Sequence, residues 1–212
     1  MFNNIAIIAG SGRLPIDVAL FLKKSKINFI VLTIKNFADL KKYKNFKSYS
    51  LRMGQGYKAM KILKENKIKK IIFLGALDRP SLFDLKPDFW TLFKVFKFIF
   101  FKKTDDIILR NVANIFENEG FNVIGLSDIT DSFFLKKGIY GAKKINNKDK
   151  VIITDLVNQT INWTKKDLGQ CVITSKNKIL LKENRKGTNE LLERFKKLNS
   201  RNSYLFIKIK KL

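Results

Sequence analysis

The sequence predicts an α/β protein: an N-terminal parallel-sheet domain followed by a smaller α+β domain. Three observations lead there. Short apolar runs of strand length, at residues 4–9, 28–33, 70–74 and 122–125, alternate with segments of helical periodicity. Those runs are apolar almost throughout, as strands covered on both faces must be. The pattern then changes, and two β-rich runs joined by SKNK follow one long amphipathic segment. The change places the boundary near residue 130, giving domains 1–130 and 131–212.

The elements follow in order. Residues 4–9 form a buried strand, and Gly10-Ser11-Gly12 turns the chain into a helix over 15–24, with Leu14, Val18 and Leu22 on one face. Residues 28–33 form the next strand. Residues 55–66 have helical spacing through Ala59, Ile62 and Leu63, and 70–74 form another buried strand. The clearest helix spans 105–119, with Ile108, Leu109, Val112, Ile115 and Phe116 in one stripe, and Gly120 ends it. Residues 128–141 read as a linker. A helix over 150–164, through Ile153, Leu156, Val157 and Ile161, precedes a hairpin of 171–174 and 179–183. A helix from Thr188 and a strand-like YLFIKI complete the second domain.

Composition removes several chemistries. The chain has 212 residues, one cysteine (Cys171) and no histidine. No intrachain disulfide, His-based triad, Cys/His zinc site or imidazole base is available. Hydrolytic chemistry must use carboxylates, lysines, backbone amides or an oxygen-preferring metal ion. The formal charge is +25. That charge suits an anionic partner, or it reflects the Lys-, Ile-, Asn- and Phe-rich composition of an AT-rich genome. The lysines form no block and no nucleic-acid-binding motif is present, so nucleic acid is not the expected partner. The apolar run near the N-terminus is too short to span a membrane and lacks a basic segment before it. This predicts a cytoplasmic protein.

Four stretches carry the chemistry. Gly10-Ser11-Gly12-Arg13-Leu14-Pro15 lies between a strand and a helix, where exposed amides favour phosphate. Pro15 stands where a dinucleotide fingerprint wants its third glycine, so this is an anion-binding turn or a plain tight turn. Asp78-Arg79-Pro80, just past Gly75, follows the carboxyl end of a strand, the edge that carries ligands in open α/β sheets. Arg79 is suited to a forked pair of hydrogen bonds to phosphate, with Asp78 orienting it, or the stretch is an ordinary loop. Asp105-Asp106 either caps a helix or supplies paired carboxylates for a divalent cation. Gly187-Thr188 opens the last helix, as a cap or as a close approach to a ligand. Apart from these, WTLFKVFKFIFF over 90–101 puts Phe89, Phe93, Phe96 and Phe100 near one helical face with Lys94 and Lys97 beside it. That face is either core or a greasy surface for acyl chains or a membrane interface.

Taken in order, these stretches resemble the LpxI family, the UDP-2,3-diacylglucosamine pyrophosphatases of lipid A synthesis. The family's G-x-G-x-LP turn is AGSGRLP here, and its G-Q segment lies within RMGQGYKAMKILKENKIKKII. Its G-x-x-x-RPS signature is GALDRPS, followed by Pro87-Asp88. G-D-D-x-LL-R appears as TDDIILR, with Thr104 for the glycine. ENEGFNVIG, DLGQCVI and ENRKGTN complete the set, and in the last Lys186 and Asn189 replace family acids.

The resemblance implies a Rossmann-like N-terminal domain and a C-terminal domain that close around a UDP-linked glycolipid. It implies hydrolysis to UMP and 2,3-diacylglucosamine 1-phosphate with a divalent cation, Mg2+ or Mn2+. It also implies peripheral contact with the cytoplasmic face of the inner membrane, and a homodimer. Carried onto this chain, the substrate-binding residues are Gly10, Ser11, Gly12, Gly75, Asp78, Arg79, Pro80, Gln170, Gly187 and Thr188. Asp105 and Asp106 are the acidic candidates for catalysis, and no metal ligand is assigned. The chain reaches FIKIKKL where the family pattern runs on into a segment carrying an important aspartate. The expectation is therefore a C-terminal domain incomplete relative to the family, with impaired activity or glycolipid binding without turnover.

Overall fold

The computed structural model describes residues 3–77, 85–99, 105–142, 145–165, 169–175, 177–184, 186–198 and 203–210, the side chains of 95–99 and 105–106 apart. It divides into two units, Met1–Lys136 and Lys137–Leu212. The first is a parallel sheet of β1 (Ile5–Ala9), β2 (Phe29–Ile34), β3 (Ser48–Leu51), β4 (Lys70–Leu74) and β5 (Asn122–Val123), in the order β3-β2-β1-β4-β5. Its helices are α1 (Leu14–Lys24), α2 (Gly56–Glu65), α3 (Phe89–Ile99) and α4 (Asp105–Asn118).

Alternation along β1 explains the apolar run. Ile5, Ile7 and Ala9 join Val18, Ala19 and Leu22 of α1 on one face of the sheet. Ala6 and Ile8 join Ala59, Ile62 and Leu63 of α2, with Phe116 of α4, on the other. Both faces are covered, so every residue of β1 is buried and none is polar. Pro15 and Asp17 sit in the first turn of α1 and Lys23 and Lys24 in the last, which matches the helix dipole at both ends.

The sequence reading departs from this unit at three places. It contains no β3, because SYSL pairs only with β2 at the sheet edge and buries only Leu51 fully. Such an edge strand needs no apolar run. The strand expected over 122–125 pairs with β4 over two residues only. Leu109, placed in the buried stripe of α4, is 51% exposed, while Val112, Ile115 and Phe116 pack inward. A stripe that long is wider than the surface the short β5 edge offers.

One carboxylate joins two helix starts. Asp88 Oδ2 accepts from the amide of Tyr57 at the start of α2 (3.0 Å). Its Oδ1 accepts from both the amide (2.8 Å) and the hydroxyl (2.6 Å) of Thr91 at the start of α3. The Thr91 hydroxyl oxygen in turn accepts from the amide of Gly56 (2.7 Å), and Asp88 donates its own amide to Gly54 O (2.9 Å). Glu119, beyond α4, accepts from Lys94 (3.1 Å) and Lys64 (3.5 Å), which ties α3 and α2 to the end of α4. The Lys94 hydrogen bond and charge, with Lys64 beside it, outweigh partial burial and hold the Glu119 carboxyl below its ordinary range.

The second unit is an antiparallel sheet of β6 (Cys171–Ser175), β7 (Lys178–Lys182) and β8 (Tyr204–Lys208), ordered β7-β6-β8. Helix α5 (Asn147–Thr164) covers one face, where Leu156 and Trp163 meet Val172 and Ile207. Helix α6 (Thr188–Lys196) covers the other, where Leu191 meets Cys171 and Ile173. Successive β6 residues thus serve opposite cores. Helix α5 begins earlier than its apolar stripe suggests, because Asn146 and Asp149 form a reciprocal capping box.

Asp88→Ala removes both helix caps at once. It should lower the unfolding free energy by about 2–3 kcal/mol, read from urea denaturation of the full chain. A loss of less than half that would show that the two caps are dispensable.

Candidate functional site

In an open sheet of this strand order, ligands bind beyond the carboxyl ends of the strands where the order reverses. Here that point lies between β1 and β4, and it brings together two motifs sixty-odd residues apart in sequence. Gly10 donates its amide to Leu74 O (2.8 Å). Ser11 and Ala76 exchange backbone hydrogen bonds of 2.8 and 3.0 Å, and the Ser11 hydroxyl also donates to Ala76 O (3.0 Å). The contact is so close that a Cβ on Gly10 would lie 2.5 Å from Ala76 O. Gly75 has φ +89°, and a Cβ there would overlap Ser11 O. Both positions therefore require glycine.

This geometry decides what the turn has to offer a ligand. The Gly10 and Ser11 amides and the Ser11 hydroxyl are engaged with the β4 loop. The amides of Gly12 and Arg13 have no partner among the described residues, and both residues are exposed. Arg13 itself pairs with Asp17 (3.2 Å). Asp78, Arg79 and Pro80 lie outside the described residues. Asp105 and Asp106 are the first residues of α4, and their side chains also lie outside the described part.

The second unit gathers the other candidates around a residue absent from them. Glu183, just after β7, accepts from the amides of Gln170 (2.6 Å) and Cys171 (3.1 Å) through Oε2. Its Oε1 accepts from the hydroxyl of Thr188 (2.6 Å). The Thr188 proton is thereby committed, so at the 3.5 Å contact with Cys171 Sγ the thiol is the donor. With its proton on Glu183, Thr188 Oγ1 has only acceptor capacity left. Gly187, with φ +85°, makes the turn that brings Thr188 to Glu183. The sequence signal for Glu183 is its place at the head of ENRKGTN.

Burial pushes the Glu183 carboxyl up. The hydrogen bonds from Thr188, Gln170 and Cys171, with the charge of Lys208, outweigh it and hold the group below its ordinary value. Burial also raises the Cys171 thiol, aided by the nearby Glu183 charge, against its contact with the Thr188 hydroxyl. The thiol is fully buried and stays protonated, so it is no nucleophile.

Among the described residues no three carboxylate or thiol groups cluster to hold a divalent cation. The oxygens of Asp88 and Glu183 are taken up by hydrogen bonds within the fold. A shallow concavity lined by Lys64, Lys67, Lys69 and Glu119 lies where β4 and β5 begin, at the opposite edge from the β1–β4 switch point.

The fold defines a two-domain α/β protein whose β1–β4 switch point is closed by paired glycine turns. Family models give the class a name. The LpxI N-terminal domain matches residues 4–133 and the LpxI C-terminal domain matches residues 136–212. The chain belongs to the LpxI family. UDP-2,3-diacylglucosamine pyrophosphatase LpxI of Caulobacter vibrioides is 26% identical over 194 residues, covering 91% of this chain and 69% of that protein.

Two outcomes test these sites. Gly75→Ala imposes a disfavoured φ and a backbone clash, and should cost about 2–4 kcal/mol of stability in urea denaturation. Glu183 gives a pH signature. Its folded carboxyl titrates below the ordinary glutamate value of about 4.3, so the unfolded chain binds the proton first as pH falls. Its contribution is therefore complete above that value and is lost as pH drops through the lower folded one. The stability gap between wild type and Glu183→Gln should be constant near neutrality and shrink below about pH 4. A gap independent of pH would remove the charged-acceptor role.

Proposed function

We propose that this chain hydrolyses UDP-2,3-diacylglucosamine. Water adds to one phosphorus of the pyrophosphate and the bridging P–O bond breaks, releasing UMP and 2,3-diacylglucosamine 1-phosphate. The observation that carries the reading is the LpxI family match along both units, together with the activity named for the Caulobacter vibrioides relative. The site chemistry is compatible with it. A pyrophosphate is anionic, and the chain carries 43 Lys and Arg against 18 Asp and Glu. Charge developing on phosphoryl oxygens is stabilised by fixed N–H groups and cations. The open amides of Gly12 and Arg13, beside the β1–β4 switch point, and the guanidinium of Arg79 are the groups we assign to that task.

A divalent cation belongs to the proposal through the family resemblance, and would supply further charge stabilisation when bound. Asp105 and Asp106 are the acids proposed to work near it. The same proposal places the enzyme against a cytoplasmic membrane surface. No described helix is long and apolar enough to cross one.

The test is UMP release from UDP-2,3-diacylglucosamine with Mg2+ or Mn2+, and with chelator as the control. Release that chelator abolishes is the expected result. Arg79→Ala should raise KM by about tenfold or more while leaving the unfolding transition unchanged. Binding of substrate by a folded sample without release would leave a glycolipid-binding relative in place of the enzyme.

A further inference from the structure

Helix α3 presents an aromatic face that the first unit does not cover. Trp90 packs against the core, Thr91 closes the Asp88 caps, and Lys94 reaches back to Glu119 and lies over the Trp90 ring at 5.6 Å. These residues hold one side of the helix inward. Phe89 and Phe93, one turn apart on the other side, are 87% and 79% exposed, with Leu92 between them at 40%. Lys86 and Lys58 are exposed at the near ends of α3 and α2, which the Asp88 caps hold together. Over 85–94 the only acid is Asp88, and both its oxygens are engaged in those caps.

We propose that the Phe89–Phe93 face of α3 docks on an anionic phospholipid bilayer, rings in the acyl boundary and lysines at the headgroups. Its biological sense rests on the diacylated-substrate reading, but the surface stands on its own geometry. Exposed rings on a helix whose only acid over 85–94 is engaged, with exposed lysines at the near ends of α3 and α2, are the pattern of an interfacial helix. Charge selects the occupant. The chain carries +25, so an anionic surface is attracted. Area agrees: two rings and one leucine offer on the order of 300–500 Å², short of the roughly 800 Å² per partner of a stable protein interface.

The test is flotation of the full chain with phosphatidylcholine vesicles, with and without phosphatidylglycerol. Wild type is expected to float only with the anionic lipid, and less so as salt rises. Phe89→Ser with Phe93→Ser should lower the partition coefficient by about 100-fold, roughly tenfold per ring. Lys58→Gln and Lys86→Gln should each lower it about fivefold. The changed side chains are solvent-exposed, so unfolding transitions should match wild type.

Wild type that ignores anionic vesicles overturns the proposal. So does a Phe89/Phe93 double variant that floats like wild type, or one that merely dissociates a dimer without changing flotation. UMP release from detergent-dispersed substrate separates this proposal from the catalytic one. The double variant should keep the wild-type rate. Absence of release in every variant, with vesicle binding intact, would remove the hydrolase reading alone.

Discussion

The ends of β1 and β4 touch backbone to backbone, and much of the first unit follows from that contact. Two amide–carbonyl hydrogen bonds and the Ser11 hydroxyl close the gap between Ser11 and Ala76. A side chain at Gly10 or Gly75 would push the strands' ends apart. With the gap closed, the chain after β1 turns directly into α1, and the chain after β4 leaves the sheet beside the same point. Among the described residues, the first amides at this edge without a partner are those of Gly12 and Arg13, because those of Gly10 and Ser11 are engaged with β4 and the loop after it.

Carboxylates are scarce in this chain, and several are committed to architecture. Asp88 holds the starts of α2 and α3, Glu119 receives Lys64 and Lys94, and Glu183 gathers β6, β7 and α6. A carboxylate whose oxygens accept two or three strong hydrogen bonds is held in place. Its lone pairs are poorly placed to ligate a cation. Thr188 illustrates the same logic at a hydroxyl. Its only proton points to Glu183, so its outward lone pair decides what it can meet.

The sheet leaves the molecule asymmetric in a useful way. Helices α1 and α2 bury Val18, Ala19, Leu22 and Ala59, Met60, Ile62, Leu63 against the strands, whereas α3 touches the sheet side through Trp90 and leaves Phe89 and Phe93 in solvent. Capping fixes this orientation. Asp88 and Thr91 hold the first turn of α3 to α2, and Lys94 holds the next turn to Glu119. The helix cannot roll to hide its rings without breaking those bonds.

The sequence by itself determined the class of fold, the ends of most elements and the membership of the candidate motifs. These are local properties: apolar runs of strand length, helical spacing, and turn residues that act over a few positions. It could not reveal β3, whose polar edge position removes the apolar signal, nor the exposure of Leu109 and Phe89, since a stripe does not say whether a partner surface exists opposite it. It placed Ser11 and Gly75 among possible ligand groups, and tertiary structure decided that Ser11 first binds Ala76, with Gly75 packed against it. It passed over Glu183 and read Asp88 only as part of a motif, because a carboxylate's role depends on which amides surround it. Those amides come from residues 12 and 13 positions away for Glu183, and 31 away for Asp88. Only the folded chain brings such partners within hydrogen-bonding distance.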